Sequence, residues 1–173
     1  LARTAAGCGV TILALTDHDT LAGYREIVAA GAVPAGMTLL PGVEINALMP
    51  HDLGLWESEL HILGFGMDPG DDAFEAALVA QRRQRRIRFD HTVDRLRELG
   101  LGIGAQVATL ARDSDDALGR PTVARALIAA GHATSVEDAF HRLLGHGCPA
   151  YVPRLGFGPV EAIQAIRAAG GLA

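Results

Sequence analysis

Two aspartates flank a histidine in the segment ALTDHDT, which contains Asp17, His18 and Asp19 and follows a short apolar run. In parallel α/β folds, functional side chains lie at the carboxyl ends of strands, where loops leave the sheet. Glu44 ends a second strand-like run in PGVE, and His61 lies in a third, SELHILGFGM. Two imidazoles and a carboxylate from three strands suit a divalent metal, so we predict that His18, Glu44 and His61 bind one.

Asp17 is the candidate catalytic group of this segment because it adjoins His18. Its carboxylate is able to accept the second ring N–H of a ligand histidine, which fixes the tautomer of the imidazole. An ordinary structural interpretation also stays open. In that interpretation Asp19 and Thr20 cap the following helix, and the histidines are loop and strand residues without a ligand.

Arginines are concentrated in the segment QRRQRRIRFDHTVDRL, where five of them fall within seven residues. In this predicted helix, Arg82 and Arg85 occupy two positions at which the apolar periodicity calls for an apolar residue. Arg88 lies beside the same face. Arg83 and Arg86 are predicted to face outward. A guanidinium on the apolar side needs an anionic partner, either an acidic side chain or a bound phosphate or carboxylate. A solvated basic helix is the alternative interpretation.

A further helix is predicted to begin in the segment LGRPTVARALIAAG, with Pro121 in its first turn. Arg120 lies at this helix start, where Thr122 and the backbone N–H groups are able to hold an anion. An ordinary helix opening explains the same pattern. The glycines of ILGFGMDPG have neither Rossmann nor P-loop spacing.

These candidate residues are distributed over elements typical of an α/β fold. Apolar, β-rich runs predict strands at 10–15, 37–46 and 58–67, and a helix is predicted between the first two. Strand–helix–strand spacing of this kind indicates βαβ units and a parallel sheet.

The domain organisation is predicted from a change of pattern near residue 71. From there to residue 150 one predicted helix follows another, without a convincing strand. We therefore predict a helical insertion at 71–150 within an α/β domain formed by 1–70 and 151–173. Both ends of the chain lie inside α/β patterns, so we expect the sequence to be a fragment of a longer protein.

Composition and charge exclude several classes of protein. The net charge of −5 argues against a protein that coats DNA or other nucleic acid. The two cysteines, Cys8 and Cys148, are far apart and form neither a disulfide framework nor a cysteine zinc site. The sequence has no signal peptide and no apolar stretch long enough to span a bilayer. We expect a cytoplasmic protein without a membrane partner.

Five ordered motifs, LALTDHDT, LLPGVEI, ELHILGFG, GRPTVARALIAAG and AFHRLLGHGCPAYVP, resemble those of the PHP (polymerase and histidinol phosphatase) phosphoesterases. The strongest resemblance is to the branch with a helical insertion that hydrolyses nucleotide phosphates, including 3′,5′-bisphosphates and short RNA from the 5′ end. It implies an α/β fold, a partial distorted (β/α)7 PHP barrel with an α-helical insertion. It also implies divalent metal ions (Mn, Mg, Zn or Fe), two or three in the intact family domain.

The resemblance assigns roles to individual positions. By motif, His18, Glu44 and His61 are metal ligands, with Glu44 in a position to bridge two metals. The predicted substrate contacts lie after the third strand, on the arginine helix and at the GRP helix start: Gly64, Phe65, Gly66, Met67, Arg85, Arg88 and Arg120.

The chain departs from the family pattern at several places. The family opens with an HxH strand and closes with AHP and DxH motifs, all of which are absent from these 173 residues. Thr122 stands where members usually have histidine. We therefore expect the stretch alone to be weak or inactive, because most of the family's metal ligands are missing.

The implied function is that of a metal-dependent phosphoric ester hydrolase acting on phosphate monoesters of nucleotides or on short RNA 5′ ends. Its partner would be a nucleotide or another phosphorylated small molecule, or short RNA, and no protein partner is indicated. One alternative is a degenerate PHP domain that binds a nucleotide or a partner protein without catalysis. Another, a nucleic-acid-binding helical domain built on the arginine helix, is disfavoured by the negative net charge.

Overall fold

The structure is a computed structural model that describes residues 1–48, 59–111 and 119–173. Its elements in chain order are α1 (Ala2–Gly7), β1 (Ile12–Leu15), α2 (Ala22–Ala29), β2 (Thr38–Leu48), β3 (Glu59–Phe65), α3 (Asp72–Glu98), α4 (Gly104–Ala111), α5 (Arg120–Ala129), α6 (Val136–Ala139) and α7 (Pro159–Ala168). A π-helical turn, Phe140–Leu144, continues α6. The three strands, all found near their predicted positions, form one sheet in the order β1-β2-β3.

The direction of β3 differs from the prediction. Strands β1 and β2 are parallel and are connected through α2, as expected of a βαβ unit. Strand β3 is antiparallel to β2, so the expectation of a wholly parallel sheet was wrong. The physical reason is chain length, because residues 49–58 supply only ten residues between the two strands. A parallel connection needs a crossover of about a dozen residues or more.

The chain divides into two compact units, and the first comprises residues 1–81 and 156–173. One face of β2 supplies the centre of its apolar core, which is completed by Leu21 just before α2, by the start of α3 and by α7. The buried members are Leu21, Val43, Ile45, Ala47, Met67, Phe74, Leu78, Ala162, Ile166 and Ala169.

Backbone hydrogen bonds join the last part of the chain to the sheet of this unit. The N–H of Leu48 donates to the carbonyl of Phe157 at 2.8 Å, and the N–H of Phe65 donates to Leu172 at 2.9 Å. Gln81, which is 7% exposed, accepts a hydrogen bond from the Phe157 N–H at 3.1 Å. The contacts of Phe157 thus lie at the end of β2, whereas Leu172 is joined to the end of β3.

The second unit, residues 82–155, is helical and has a core of its own. The apolar stripe predicted for α3 is present, since Phe89, Thr92 and Leu96 are buried. The helical pattern of the sequence also predicts Leu99 in this stripe, but Leu99 lies just beyond the end of α3 at Glu98 and is 46% exposed. Helix α4 was not predicted, because its sequence is short and begins with glycine, a poor helix former. Val107 and Leu110 of α4 pack against this core.

The π-helical turn after α6 has an identifiable cause. The N–H of Gly145 donates to the carbonyl of Phe140 at 2.8 Å, which is the i→i+5 bond of a π-turn. A Cβ atom on Gly145 would lie 2.7 Å from that carbonyl oxygen, so the turn requires glycine.

The predicted (β/α)7 barrel and the insertion at 71–150 stay predictions. Among the helices described, none is long and apolar enough to cross a membrane.

Candidate metal centre

One face of the sheet brings the three predicted ligands together. Alternate residues of a strand point to opposite faces, so Glu44 and Asn46 share the face of β2 that is opposite to the apolar core. His18 pairs with Glu44 in an isolated parallel bridge, and His61 pairs with Asn46 across the antiparallel ladder. Directly paired residues present their side chains on the same face. The register therefore places His18, Glu44 and His61 side by side.

The distances within this cluster are short. One ligand atom from each of His18, Glu44 and His61 lies within 4.8 Å of the others. His18 Nδ1 is 3.8 Å from Glu44 Oε2, and His61 Nδ1 contacts Glu44 Oε1. The imidazole rings meet edge to face, with centroids 5.5 Å apart. The histidine side chains are 44% and 45% exposed, so a ligand has access from solvent.

Two backbone hydrogen bonds hold the loop that carries His18 against β2. The Asp19 N–H donates to the Glu44 carbonyl at 3.0 Å, and the Glu44 N–H donates to the Asp17 carbonyl at 3.1 Å. Asp19 has a φ of +52°, a left-handed conformation that no other non-glycine residue adopts in the part of the chain described. That conformation costs an L-residue about 1–2 kcal/mol, and Asp tolerates it better than most residues. Asp19 is also buried, at 1% exposure.

Asp17, the predicted catalytic group, is exposed. Its carboxylate lies against the Cα of Gly23 in the first turn of α2. Within the described residues, no hydrogen bond joins this carboxylate to a histidine ring, so its catalytic role stays a prediction. Thr20 Oγ1 accepts a hydrogen bond from the N–H of Ala22 at 3.1 Å. The N-cap of α2 is Leu21, without a side-chain cap hydrogen bond, so the expected cap by Asp19 and Thr20 was wrong.

The donor atoms of the cluster fit a divalent cation. Imidazole nitrogen suits Zn²⁺ and Fe²⁺, whereas carboxylate oxygen suits Mg²⁺ and Mn²⁺, so the mixed set is compatible with all the metals predicted. Ligand atoms about 2.1 Å from one ion are separated by at most about 4.2 Å. Small rotations of the half-exposed histidines therefore suffice to close the cluster around an ion. Three protein ligands with an open position are also typical of catalytic zinc sites.

The predicted substrate contacts after β3 have mixed environments. A Cβ atom on Gly64 would lie 2.8 Å from Met67 Cε, and Met67 is 1% exposed. Phe65 exchanges backbone hydrogen bonds with Leu172, while the exposed Gly66 adopts a φ of +72° in the turn that follows. Gly64 and Met67 thus have a packing role, and substrate contact at these four positions stays a prediction.

The arginines of α3 are oriented as the helical pattern predicted. Arg82, Arg85 and Arg88 are partly buried, whereas Arg83 and Arg86 are exposed. Arg88 Nε donates to the carbonyl oxygen of Val152 at 2.8 Å, so one partner of this guanidinium is neutral rather than anionic. Binding of substrate by Arg85 and Arg88 stays a prediction.

At the start of α5, the guanidinium of Arg120 lies over the Phe140 ring, 5.4 Å from its centroid. Pro121 occupies the first turn, as predicted. Thr122 is 1% exposed, and its Oγ1 accepts a hydrogen bond from Arg125 at 3.4 Å. Its hydroxyl is therefore enclosed in the protein, and substrate binding by Arg120 stays a prediction.

Asn46 is a polar residue of the ligand face that the sequence analysis did not select. It is 8% exposed and is the cross-strand partner of His61. Gln81 Nε2 donates to its backbone carbonyl at 3.5 Å. The period-two alternation of β2, two residues beyond Glu44, is the signal that would have located it.

Comparison with known proteins identifies relatives whose sequences align with nearly all of this chain. No family model matches it. The chain is 34% identical to a 5′-3′ exoribonuclease of Haemophilus influenzae over 166 residues, which are 95% of this chain and 57% of that protein. It is 31% identical to a 3′,5′-nucleoside bisphosphate phosphatase of Chromobacterium violaceum over 169 residues, covering 98% of this chain and 57% of the relative.

A solved structure agrees with these relatives. A protein of Bifidobacterium adolescentis, assigned as a metal-dependent phosphoesterase, superimposes with a TM-score of 0.75 and 30% identity. The match covers 98% of this chain and 57% of that one. The chain thus spans just over half the length of the proteins that it matches. Over the matched part, its α/β fold is similar to that of this solved phosphoesterase. The relatives that it resembles in sequence are named as enzymes that act on phosphate esters.

Proposed function

We propose that this chain forms part of a PHP-family, metal-dependent phosphoric ester hydrolase. Its substrates would be phosphate monoesters of nucleotides or the 5′ ends of short RNA. The observation that carries the proposal is the cluster of His18, Glu44 and His61, within 4.8 Å, on the polar face of the sheet. The relatives support the substrate class, since they are named as an exoribonuclease and a nucleoside bisphosphate phosphatase.

The residues would divide the work as follows. His18 and His61 would bind the metal through neutral imidazole nitrogens, and Glu44 would add negative charge that balances the cation. A divalent ion held there supplies a hydroxide at neutral pH and positive charge for the phosphoryl oxygens. Asp17, which is exposed and precedes His18 in the chain, is the proton acceptor that we propose.

Phosphate binding is assigned to the arginines of the helical unit. Arg85, Arg88 and Arg120 carry planar guanidinium groups that pair with phosphate oxygens in bidentate fashion. The partial burial of all three supports this proposal, because a partly desolvated guanidinium interacts with an anion more strongly than an exposed one.

A longer polypeptide is needed for full activity in this proposal. The HxH, AHP and DxH motifs that supply further ligands in the family are absent from these 173 residues. Three ligands match one metal rather than a cluster of two or three. The free thiols Cys8 and Cys148 are compatible with the reducing cytoplasm in which we place the protein.

Thr122 favours a second candidate, a nucleotide-binding domain without catalysis. A buried threonine replaces the histidine usual in the family, and with it a group able to transfer protons near pH 7 is lost. Metal content separates the two candidates. A stoichiometric transition metal in the purified protein supports the hydrolase, and its absence supports the binding domain.

The test is a phosphate-release assay with Mn²⁺, using a nucleoside 3′,5′-bisphosphate and a 5′-phosphorylated RNA oligonucleotide. The chain alone is compared with a longer polypeptide that carries it, each as wild type, Glu44→Gln and His91→Gln. His91 is an exposed histidine of α3 outside the cluster and serves as the matched control. We expect metal-dependent turnover that falls at least 100-fold in E44Q and stays unchanged in H91Q. Equal turnover in E44Q and wild type would refute the metal role of Glu44.

A further inference from the structure

Gly23 and the Asp17 carboxylate are in unusually close contact. A Cβ atom built on Gly23 would lie 2.3 Å from Asp17 Oδ2 and 3.4 Å from Asp17 Cγ. The first distance is far below any normal contact between a carbon and an oxygen atom. The carboxylate of Asp17 therefore occupies the volume that a side chain at position 23 would fill.

Helical propensity does not explain a glycine at this position. Gly23 is the second residue of α2, and its φ is not in the left-handed region that favours glycine. Glycine is among the least favourable residues inside a helix, and alanine the most favourable. The backbone conformation at position 23 is therefore compatible with alanine. What an alanine side chain would meet there is the Asp17 carboxylate.

The backbone of Asp17 has little freedom to move away. Its carbonyl accepts the N–H of Glu44 at 3.1 Å, within the bridge that aligns His18 with β2. The side chain, in contrast, is short and exposed, and it turns about two torsions only. A methyl group at position 23 would thus rotate the carboxylate and leave the loop in place.

We propose that Gly23 is a positioning residue: by lacking a side chain, it leaves the space against α2 that the Asp17 carboxylate occupies. The inference rests on the proposed function, in which Asp17 accepts a proton during phosphate ester hydrolysis. The role of Gly23 is to leave space, so any side chain there displaces the carboxylate.

Gly23→Ala is the variant that tests this role, and Gly7→Ala is its matched control. Gly7 is the last residue of α1 in the same unit, and a Cβ atom there would meet no atom within 4 Å. Both substitutions exchange a helical glycine for alanine, so both should keep or raise the thermal unfolding midpoint. Only G23A should disturb Asp17.

The first measurement needs no activity. In the metal-free chain, the side-chain carboxyl ¹³C resonance of Asp17 is assigned by NMR in wild type, G23A and G7A. We expect a clear shift of this resonance in G23A and none in G7A. If the Asp17 resonance does not shift in G23A, the inference is wrong, whatever effect the substitution has on turnover.

The second measurement is kinetic and uses the polypeptide that shows Mn²⁺-dependent turnover. We expect G23A to lower kcat at least 10-fold with KM unchanged, and G7A to alter neither. In an Asp17→Asn background, G23A should change kcat less than 2-fold, because the group that it displaces no longer acts. An equal loss in both backgrounds would contradict the inference. A wild-type protein without turnover would instead refute the proposed function. In that case the NMR result would still show whether a side chain at position 23 displaces the Asp17 carboxylate.

Discussion

The two faces of β2 carry side chains with opposite roles. On one face Val43, Ile45 and Ala47 are completely buried in the apolar core. On the other, Glu44 stands between two half-exposed histidines. Burial of apolar surface stabilises a fold by about 25 cal/mol per Å². Exposed imidazoles gain little in this way, so packing does not explain why three ligand atoms converge there.

This difference teaches that stability and ligand binding are separable along a single strand. Adjacent positions of β2 belong to different faces, so substitutions one residue apart should affect different properties. Changes on the apolar face should lower the free energy of unfolding, whereas changes on the polar face should lower metal affinity. The following predictions test that separation.

The largest effect is expected from Ile45→Ala. Removing a fully buried isoleucine side chain should lower the free energy of unfolding by about 2–5 kcal/mol, because it leaves a cavity. Urea titration of the metal-free chain measures this loss. Ile45→Val, which removes one methylene group, should lose about 0.5–1.5 kcal/mol. A loss below about 0.5 kcal/mol in I45A would show that this face contributes little to stability.

On the opposite face, His61→Gln should act through the metal. Mn²⁺ at 100 times its Kd should stabilise the wild type by about 2.7 kcal/mol. H61Q should bind Mn²⁺ at least 10-fold more weakly in calorimetry, which removes about 1.4 kcal/mol of that stabilisation. Without metal, its stability should stay within about 0.5 kcal/mol of wild type. If metal stabilises H61Q as much as wild type, the ligand role of His61 fails.

Asp19 affects both fold stability and metal binding, because its left-handed backbone conformation shapes the loop that carries the ligand His18. Asp19→Val should lower the free energy of unfolding by about 1–2 kcal/mol, since a β-branched residue disfavours a positive φ. Asp19→Gly keeps the backbone conformation accessible and should lose less. Chemical denaturation measures both variants. If D19G loses as much as D19V, the side-chain contacts of Asp19, and not its backbone, hold the loop.

The smallest effect is expected in the helical unit, at Asp138 in α6. Hydrogen bonds from Arg142 and from the Thr134 N–H hold the pKa of this carboxyl well below its usual range. A lowered pKa stabilises the fold above about pH 4, and that contribution disappears as the pH falls through the folded-state value. Asp138→Asn should therefore melt slightly lower than wild type at pH 7. The difference should shrink in acid, and a difference independent of pH would exclude the ionised carboxylate as its cause.

Local patterns predicted much of this structure. The strand positions and the contrast between inward Arg85 and outward Arg86 follow from short-range periodicity. Pro121 in the first turn of α5 follows from the preference of proline for helix starts. The convergence of His18 and His61 on Glu44 was also predicted and is present. Each of these features depends on residue spacing within one element or on the general geometry of strand ends.

The rest depends on contacts between segments distant in sequence. His61 was predicted to lie in a strand of a parallel sheet, and it is the third residue of β3. It reaches Glu44 because β3 is antiparallel, which places the start of β3 beside the end of β2. The packing of Asp17 against Gly23 likewise arises from the fold of the loop and was not evident from residue types. The sequence therefore predicted the right cluster for a partly wrong reason.

The π-turn at Phe140–Leu144 has a consequence for how this chain tolerates change in length. Such a turn contains one residue more than α-helical spacing, so deleting a single residue there allows a return to regular α-geometry. Such a deletion therefore avoids the rotation of about 100° about the helix axis that the loss of one residue causes within a regular α-helix. Insertions and deletions between homologues should therefore accumulate at this turn sooner than within the regular helices around it.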